Sequence, residues 1–250
     1  MKTTTARRLL RLNRDFYDTF AAEFADSRSA LQPGMIRALR GLGQFDSLVD
    51  IGCGDGRVGR ALATGIVRHP VYRYVGVDFS PRLLERSARS QATLPAHFDF
   101  ALCDLTRPAW AKGIDHLSDL FDAAVCFSML HHVPGPRRRL RLLRDIRSLL
   151  RLGARCAISV WQFLHVPRLR RKIAAWSEVR LALAAVDEGD YLVDWQRGGR
   201  GLRYVHHFDE AELVDLCRRA SFSVLDAYRS DGRAAGDGMG LYIVLEAVIY

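Results

Sequence analysis

The chain has 250 residues, 49% of them apolar and 26% charged, ordinary values for a globular domain. These values exclude disorder, collagen and coiled coil as the main state, and no apolar run approaches the ~18 residues that cross a bilayer. The net charge of +9 comes from 34 arginines and three lysines (2, 112 and 172) against 28 acids. That balance points to a polyanionic partner or to a GC-rich genome.

No apolar segment follows the basic N-terminus, so no secretory signal is read. Residues 1–14 carry Lys2, Arg7, Arg8, Arg11 and Arg14 and no acid. An amphipathic helix has this pattern, and so, more faintly, does an organelle transit peptide. The five cysteines (53, 103, 126, 156, 217) form no CxxC pair, which predicts reduced thiols in a cytoplasm, no metal site and no membrane role.

Leu9, Leu12, Phe16, Phe20 and Phe24 predict an amphipathic helix or helix pair over residues 5–28, broken by Gln32-Pro33-Gly34. Met35–Leu42 reads as another helix. Ser47–Ile51 is a short buried strand that runs into Gly52-Cys53-Gly54-Asp55-Gly56, and Arg57–Thr64 resumes helical spacing. Tyr72–Asp78 is a second strand. Ser80 then caps a helix that has Pro81 at its first position. Phe98–Cys103, Phe121–Phe127 and Ala154–Trp161 are further strands, and Pro136–Leu152 is a helix stopped by Gly153. Residues 162–205 break the rhythm as a basic, Trp-containing insertion. Asp209–Ala220 is a helix, and Phe222–Tyr228 and Leu241–Ile249 are the last strands. A glycine-rich link joins that pair, which makes them antiparallel. Alternating strands and helices predict an α/β fold with a doubly wound, mostly parallel sheet covered on both faces.

The glycine loop follows the first strand, where a backbone can approach a ligand closely and a helix N-terminus attracts negative charge. Dinucleotides and S-adenosylmethionine are both held this way. Gly54-Asp55-Gly56-Arg57-Val58-Gly59 matches GxGxxG, but in a late register that sets Asp55 beside a pyrophosphate. The register Asp50-x-Gly52-x-Gly54-x-Gly56 instead puts an acid on the strand tip, suited to a ligand ammonium group. Asp78 and Asp104 close the second and third strands, where they suit a ribose and an adenine amino group. Three strand-tip acids above one glycine loop form a nucleoside pocket.

On these residues the chain resembles the class I S-adenosylmethionine-dependent methyltransferases. Leu48-Val49-Asp50-Ile51-Gly52-Cys53-Gly54-Asp55-Gly56-Arg57 is similar to the family's first motif, and Gly76-Val77-Asp78-Phe79-Ser80 to the second. Phe127-Ser128-Met129-Leu130-His131-His132-Val133 is similar to the segment that lines the methyl-transfer site. The resemblance implies a Rossmann-like, seven-stranded sheet with a reversed last strand. It also implies one methyltransferase domain over 1–250, with a helical lid at about 5–42 and the insertion at about 162–205. It implies S-adenosylmethionine as cofactor, held by Tyr17, Arg28, Asp50, Gly52, Gly54, Gly56, Asp78, Phe79, Asp104, Leu105 and Ser128, with S-adenosylhomocysteine as product. His131 and His132 stand where a general base would act.

A narrower resemblance joins Gly189-Asp190-Tyr191-Leu192-Val193-Asp194-Trp195 and Tyr204-Val205-His206-His207-Phe208 to the tRNA methyltransferases that esterify carboxymethyluridine at the wobble position. A carboxylate acceptor would need no base. Residues 137–180 hold thirteen basic residues against Asp145 and Glu178, an excess of eleven charges. Arg168, Arg170, Arg171 and Lys172 are therefore expected on tRNA phosphates, with Trp161, Trp195, Tyr204 and His206 nearer the target nucleotide. A small-molecule methyltransferase, and further off a nicotinamide enzyme or a non-catalytic binding subunit, are the alternatives on the same fold.

Overall fold

A computed structural model describes residues 1–27, 30–90, 94–117, 120–231 and 238–249. Its strands, in chain order, are β1 (Ser47–Ile51), β2 (Arg73–Asp78), β3 (Phe98–Leu102), β4 (Phe121–Phe127), β5 (Leu150–Trp161), β6 (Ile173–Ala174), β7 (Asp190–Trp195), β8 (Gly201–His206), β9 (Phe222–Ser230) and β10 (Gly240–Ala247). The helices are α1 (Thr3–Thr19), α2 (Ala21–Asp26), α3 (Pro33–Gly41), α4 (Arg57–Ala63), α5 (Pro81–Ser90), α6 (Pro136–Ser148), α7 (Pro167–Arg170) and α8 (Glu210–Arg218).

Seven strands form the main sheet in the order β3-β2-β1-β4-β5-β10-β9. β1 is parallel to β2 and β4, and β10 runs antiparallel to both β5 and β9. This is the expected doubly wound sheet with a reversed last strand. Its order turns between β1 and β4, which opens a crevice at their carboxyl ends.

Both faces are buried with a period of two. Val49 and Ile51 of β1, Ala124 and Cys126 of β4, and Leu241, Ile243 and Leu245 of β10 pack on one side with Leu142, Leu143 and Ile146 of α6 and Leu213 and Leu216 of α8. Leu48, Val125, Tyr242 and Val244 pack on the other with Met35 and Leu39 of α3 and Val58 and Leu62 of α4. Each valine, leucine, isoleucine or methionine among them contributes ~1.5–3 kcal/mol on burial. Caps set helix starts as the sequence requires: Leu83 N–H donates to Ser80 Oγ at 3.4 Å, and Glu212 N–H to Asp209 Oδ1 at 2.7 Å.

Several segment boundaries differ from expectation, and one of them reshapes the sheet. α6 ends at Ser148 rather than Leu152, because Leu150 already pairs with Phe121 as the start of β5. Gly153, at φ +77°, is the left-handed residue of the irregular β4–β5 register, not a helix stop. The expected insertion is an ordered antiparallel sheet, β6-β7-β8. Trp161, Phe163, Val193 and Val205 seal it against the body. α1 docks on β8 through one buried amide: Asn13 Oδ1 accepts Tyr204 N–H at 2.7 Å, and Asn13 Nδ2 donates to Tyr204 O at 3.1 Å. A side chain thus imitates a strand neighbour and satisfies both main-chain groups of one β8 residue.

Candidate functional site

The cavity lies at the turn in strand order. Its floor is the loop after β1. Gly54 stands at φ +59°, and a Cβ placed there would meet nothing within 4 Å, so this glycine borders open space. Gly52 lines the cavity beside Met129. Gly56 does not line it. At φ +76° it starts α4, and a Cβ there would stand 2.7 Å from Phe100, so a packing contact demands this glycine.

Asp78 ends β2 and is 5% exposed. Its Oδ2 accepts Gly54 N–H at 2.9 Å and its Oδ1 accepts Ser80 N–H at 2.9 Å. Burial raises its pKa, opposed by those amides. Asp78 also lines the cavity, where its carboxylate can accept from a diol. Phe79 and Leu105 form apolar walls. Asp104 ends β3, but it is already engaged. Its Oδ1 accepts Thr106 Oγ1 at 2.6 Å, and its Oδ2 holds Arg14 of α1 at 2.8 Å. Half-burial alone would raise Asp104; the Thr106 and Arg14 hydrogen bonds hold it below the usual carboxylate range.

The tip of β4 forms the opposite wall. Ser128 is a non-glycine residue at φ +56°, with its N–H held by Ser159 O at 3.0 Å. Backbone strain of this kind gathers at functional sites. His132 and Tyr17 line the same wall. His132 Nδ1 meets the Tyr204 carbonyl at 3.0 Å, so it must carry the proton. Nε2 then accepts the Tyr17 hydroxyl at 2.7 Å. The lone pair a general base would need is committed to Tyr17.

Other expected residues stand outside the cavity. Asp50 is 1% exposed beneath the loop and accepts the Tyr74 hydroxyl at 2.8 Å; burial pushes its carboxyl up to about 7. It is not among the residues that line the cavity. His131 is buried and stacks on Trp161 at 5.2 Å. Tyr204 and His206 are not among the residues that line the cavity. His206 Nδ1 meets Asp190 at 2.8 Å and Nε2 meets Glu212 at 3.0 Å. Burial alone would lower His206, but those carboxylates raise it. Tyr204 donates to Asp190 at 2.7 Å. Arg139, 1% exposed, joins the same group through Asp190, Glu212 and Val133 O, so it is no part of a solvated basic run. Trp195 packs edge-on to Phe16 at 5.7 Å. Arg168, Arg170, Arg171 and Lys172 are exposed at α7. Arg28 lies outside the described residues.

Sequence reasoning passed over four residues of this region. Asn13 and Arg14 come from α1, and Arg57 from α4. Arg57 lines the cavity with a buried amino nitrogen that has no hydrogen-bond partner. The fourth is Arg203 of β8, only 4% exposed. Its guanidinium lies 4.5 Å from Trp161, 5.3 Å from Phe16 and 5.4 Å from Trp195. Its Nε and one amino nitrogen have no hydrogen-bond partner, and no described carboxylate pairs with it. Burial lowers its pKa, and Tyr17 is the polar group that opposes this.

The loop, the diol-shaped acceptor at Asp78 and the orphaned Arg57 nitrogen fit a nucleoside that carries an amino-acid tail. A family model described as a methyltransferase domain matches residues 49–156. A tRNA (carboxymethyluridine(34)-5-O)-methyltransferase of Schizosaccharomyces pombe is 21% identical over 84% of this chain and 88% of that protein. The Mus musculus protein of the same description, ALKBH8, is 28% identical over 58% of this chain, which spans 19% of that longer protein. A solved S-adenosylmethionine-dependent methyltransferase of Methanosarcina mazei superposes with a TM-score of 0.62 at 22% identity, over 88% of this chain and all of that one.

Proposed function

We infer, for a chain that is a class I S-adenosylmethionine-dependent methyltransferase, that it methylates a carboxylate carried on a tRNA uridine. Arg203 is the observation that carries this reading. A buried guanidinium without a carboxylate costs several kcal/mol, which aromatic faces offset only in part. Arginine stays charged there and offers a planar fork that matches a carboxylate. Its polar neighbour, Tyr17, lines the cavity beside His132, so an anion at Arg203 lies next to the cofactor site. The names of the yeast and mouse relatives point to the same acceptor class.

When bound, S-adenosylmethionine supplies a methyl group on a positively charged sulfur. Gly52 and Gly54 would leave room for it beside the backbone, Asp78 would accept from its ribose hydroxyls, and Arg57 would hold its carboxylate. Arg203 orients the acceptor. Methylating a carboxylate oxygen moves no proton, in keeping with a His132 whose lone pair is already used. Tyr17 and α1 exclude water from the pair.

The test is to incubate the purified chain with S-adenosylmethionine and tRNA from cells that lack the enzyme, then analyse nucleosides by mass spectrometry. The expected product is a uridine methyl ester that mild alkali removes. An enzyme that binds the cofactor yet leaves every nucleoside unchanged refutes the reading.

A further inference from the structure

We propose that the cleft between α1, the segment after β3 and α6 holds the phosphodiester backbone of the RNA that carries the acceptor. This rests on RNA being the acceptor. Arg7, Arg11, Arg14, Arg107, Arg138 and Arg141 line the cleft against only Asp15 and Asp104. Asp104 is already shared by Arg14 at 2.8 Å and Arg107 at 3.3 Å. Arg7, Arg11 and Arg138 pair with no carboxylate among the described residues.

Three observations turn this crowding into a site. Arg7, Arg11 and Arg14 recur every three to four residues, so they share one face of α1 and span ~10 Å of its axis. Arg141 is held by Thr106 O at 2.5 Å, yet its Nε is buried with no partner. Arg138 is depressed by burial first and then by Arg141 and Arg7. Cations pressed together in this way are relieved by an anion with several charges, which a nucleic-acid strand supplies and a lone carboxylate does not. The cleft also shares Leu10, Arg14, Asp104 and Thr106 with the cofactor cavity. A strand lying in it therefore reaches the methyl-transfer site without crossing other structure. The exposed cluster at α7 makes no such junction with the cavity.

The test compares three full-length proteins: wild type, R7Q/R11Q/R138Q, and R168Q/R170Q/R171Q/K172Q. Each is titrated with bulk tRNA over a salt series, and with S-adenosylhomocysteine by calorimetry as a check on the cofactor site. The cleft variant is expected to bind tRNA at least tenfold more weakly. Its slope of log affinity against log salt should be shallower by about two, the share of three phosphates, with unchanged affinity for S-adenosylhomocysteine. If the cleft variant binds tRNA as wild type does, the cleft proposal is overturned and the tRNA reading survives; loss in the α7 variant alone would then place the RNA there. If wild type itself fails to bind tRNA at low salt, both readings fall.

Discussion

Arg203→Met separates a residue kept for a ligand from one kept for the fold. The substitution preserves most of the apolar length among Phe16, Trp161 and Trp195 but removes the charge. In the wild type the guanidinium is 4% exposed and no described carboxylate compensates it, at a cost of several kcal/mol. Contacts with three rings return up to ~2 kcal/mol, and a charged hydrogen bond with Tyr17 ~1.5–3 kcal/mol. These terms nearly cancel, so the variant should be as stable as wild type or more stable by ~1 kcal/mol. In a chain of this size that is a rise in Tm of about 2–4 °C. The acceptor, by contrast, loses two charge-assisted hydrogen bonds of ~1.5–3 kcal/mol each. At 1.4 kcal/mol per tenfold, kcat/KM for tRNA should fall by at least ~100-fold. Scanning calorimetry reads the first quantity, and methyl transfer at saturating S-adenosylmethionine reads the second. A Tm that drops by ~10 °C with unaltered kcat/KM would show that Arg203 serves the fold, and would refute the reasoning.

Asp78→Ala removes the paired acceptor at the β2 tip, so affinity for S-adenosylhomocysteine should fall ~100-fold or more at two charge-assisted bonds; calorimetric titration that finds it unchanged rejects the ribose role. Gly54→Val puts a β-branched side chain at φ +59° and into open cavity space; cofactor binding should vanish while circular dichroism stays near native, and normal binding would mean the loop cradles nothing. Asp50 has a folded pKa raised to about 7 by burial, so the folded state binds the extra proton. Its contribution is present at low pH and is lost as pH rises from the usual carboxylate range through about 7. Asp50→Asn should flatten that fall in thermal melts between pH 4 and 8, and an identical pH profile in both proteins contradicts a protonated Asp50.

What could be read from the sequence was local or periodic. The glycine loop, the strand ends at Asp78 and Asp104 and the cap at Ser80 depend on neighbours a few residues away, and short continuous apolar runs alternating with helical spacing gave the sheet. At Asp50 the strand-tip rule gave no sign that Tyr74, on the adjacent strand, donates to its carboxylate. Asn13 and Tyr204 are separated by 191 positions and Arg139 and Glu212 by 73, so no spacing within a motif announces either contact. His206 looked like a substrate residue because a histidine in an aromatic segment carries no sign of the two carboxylates that enclose it. Arg203 was invisible for the opposite reason: among 34 arginines, nothing marks one that is buried without a carboxylate.

The Asn13 amide has a kinetic consequence. Because Asn13 Oδ1 accepts the Tyr204 N–H, α1 cannot swing away from the cavity alone without stranding a buried N–H on β8, while the Tyr204 carbonyl keeps its bond from His132. Tyr17, four residues further along the same helix, travels with it and is tied to His132. Opening the cavity through α1 therefore carries the cost of that stranded amide and of the broken Tyr17–His132 contact.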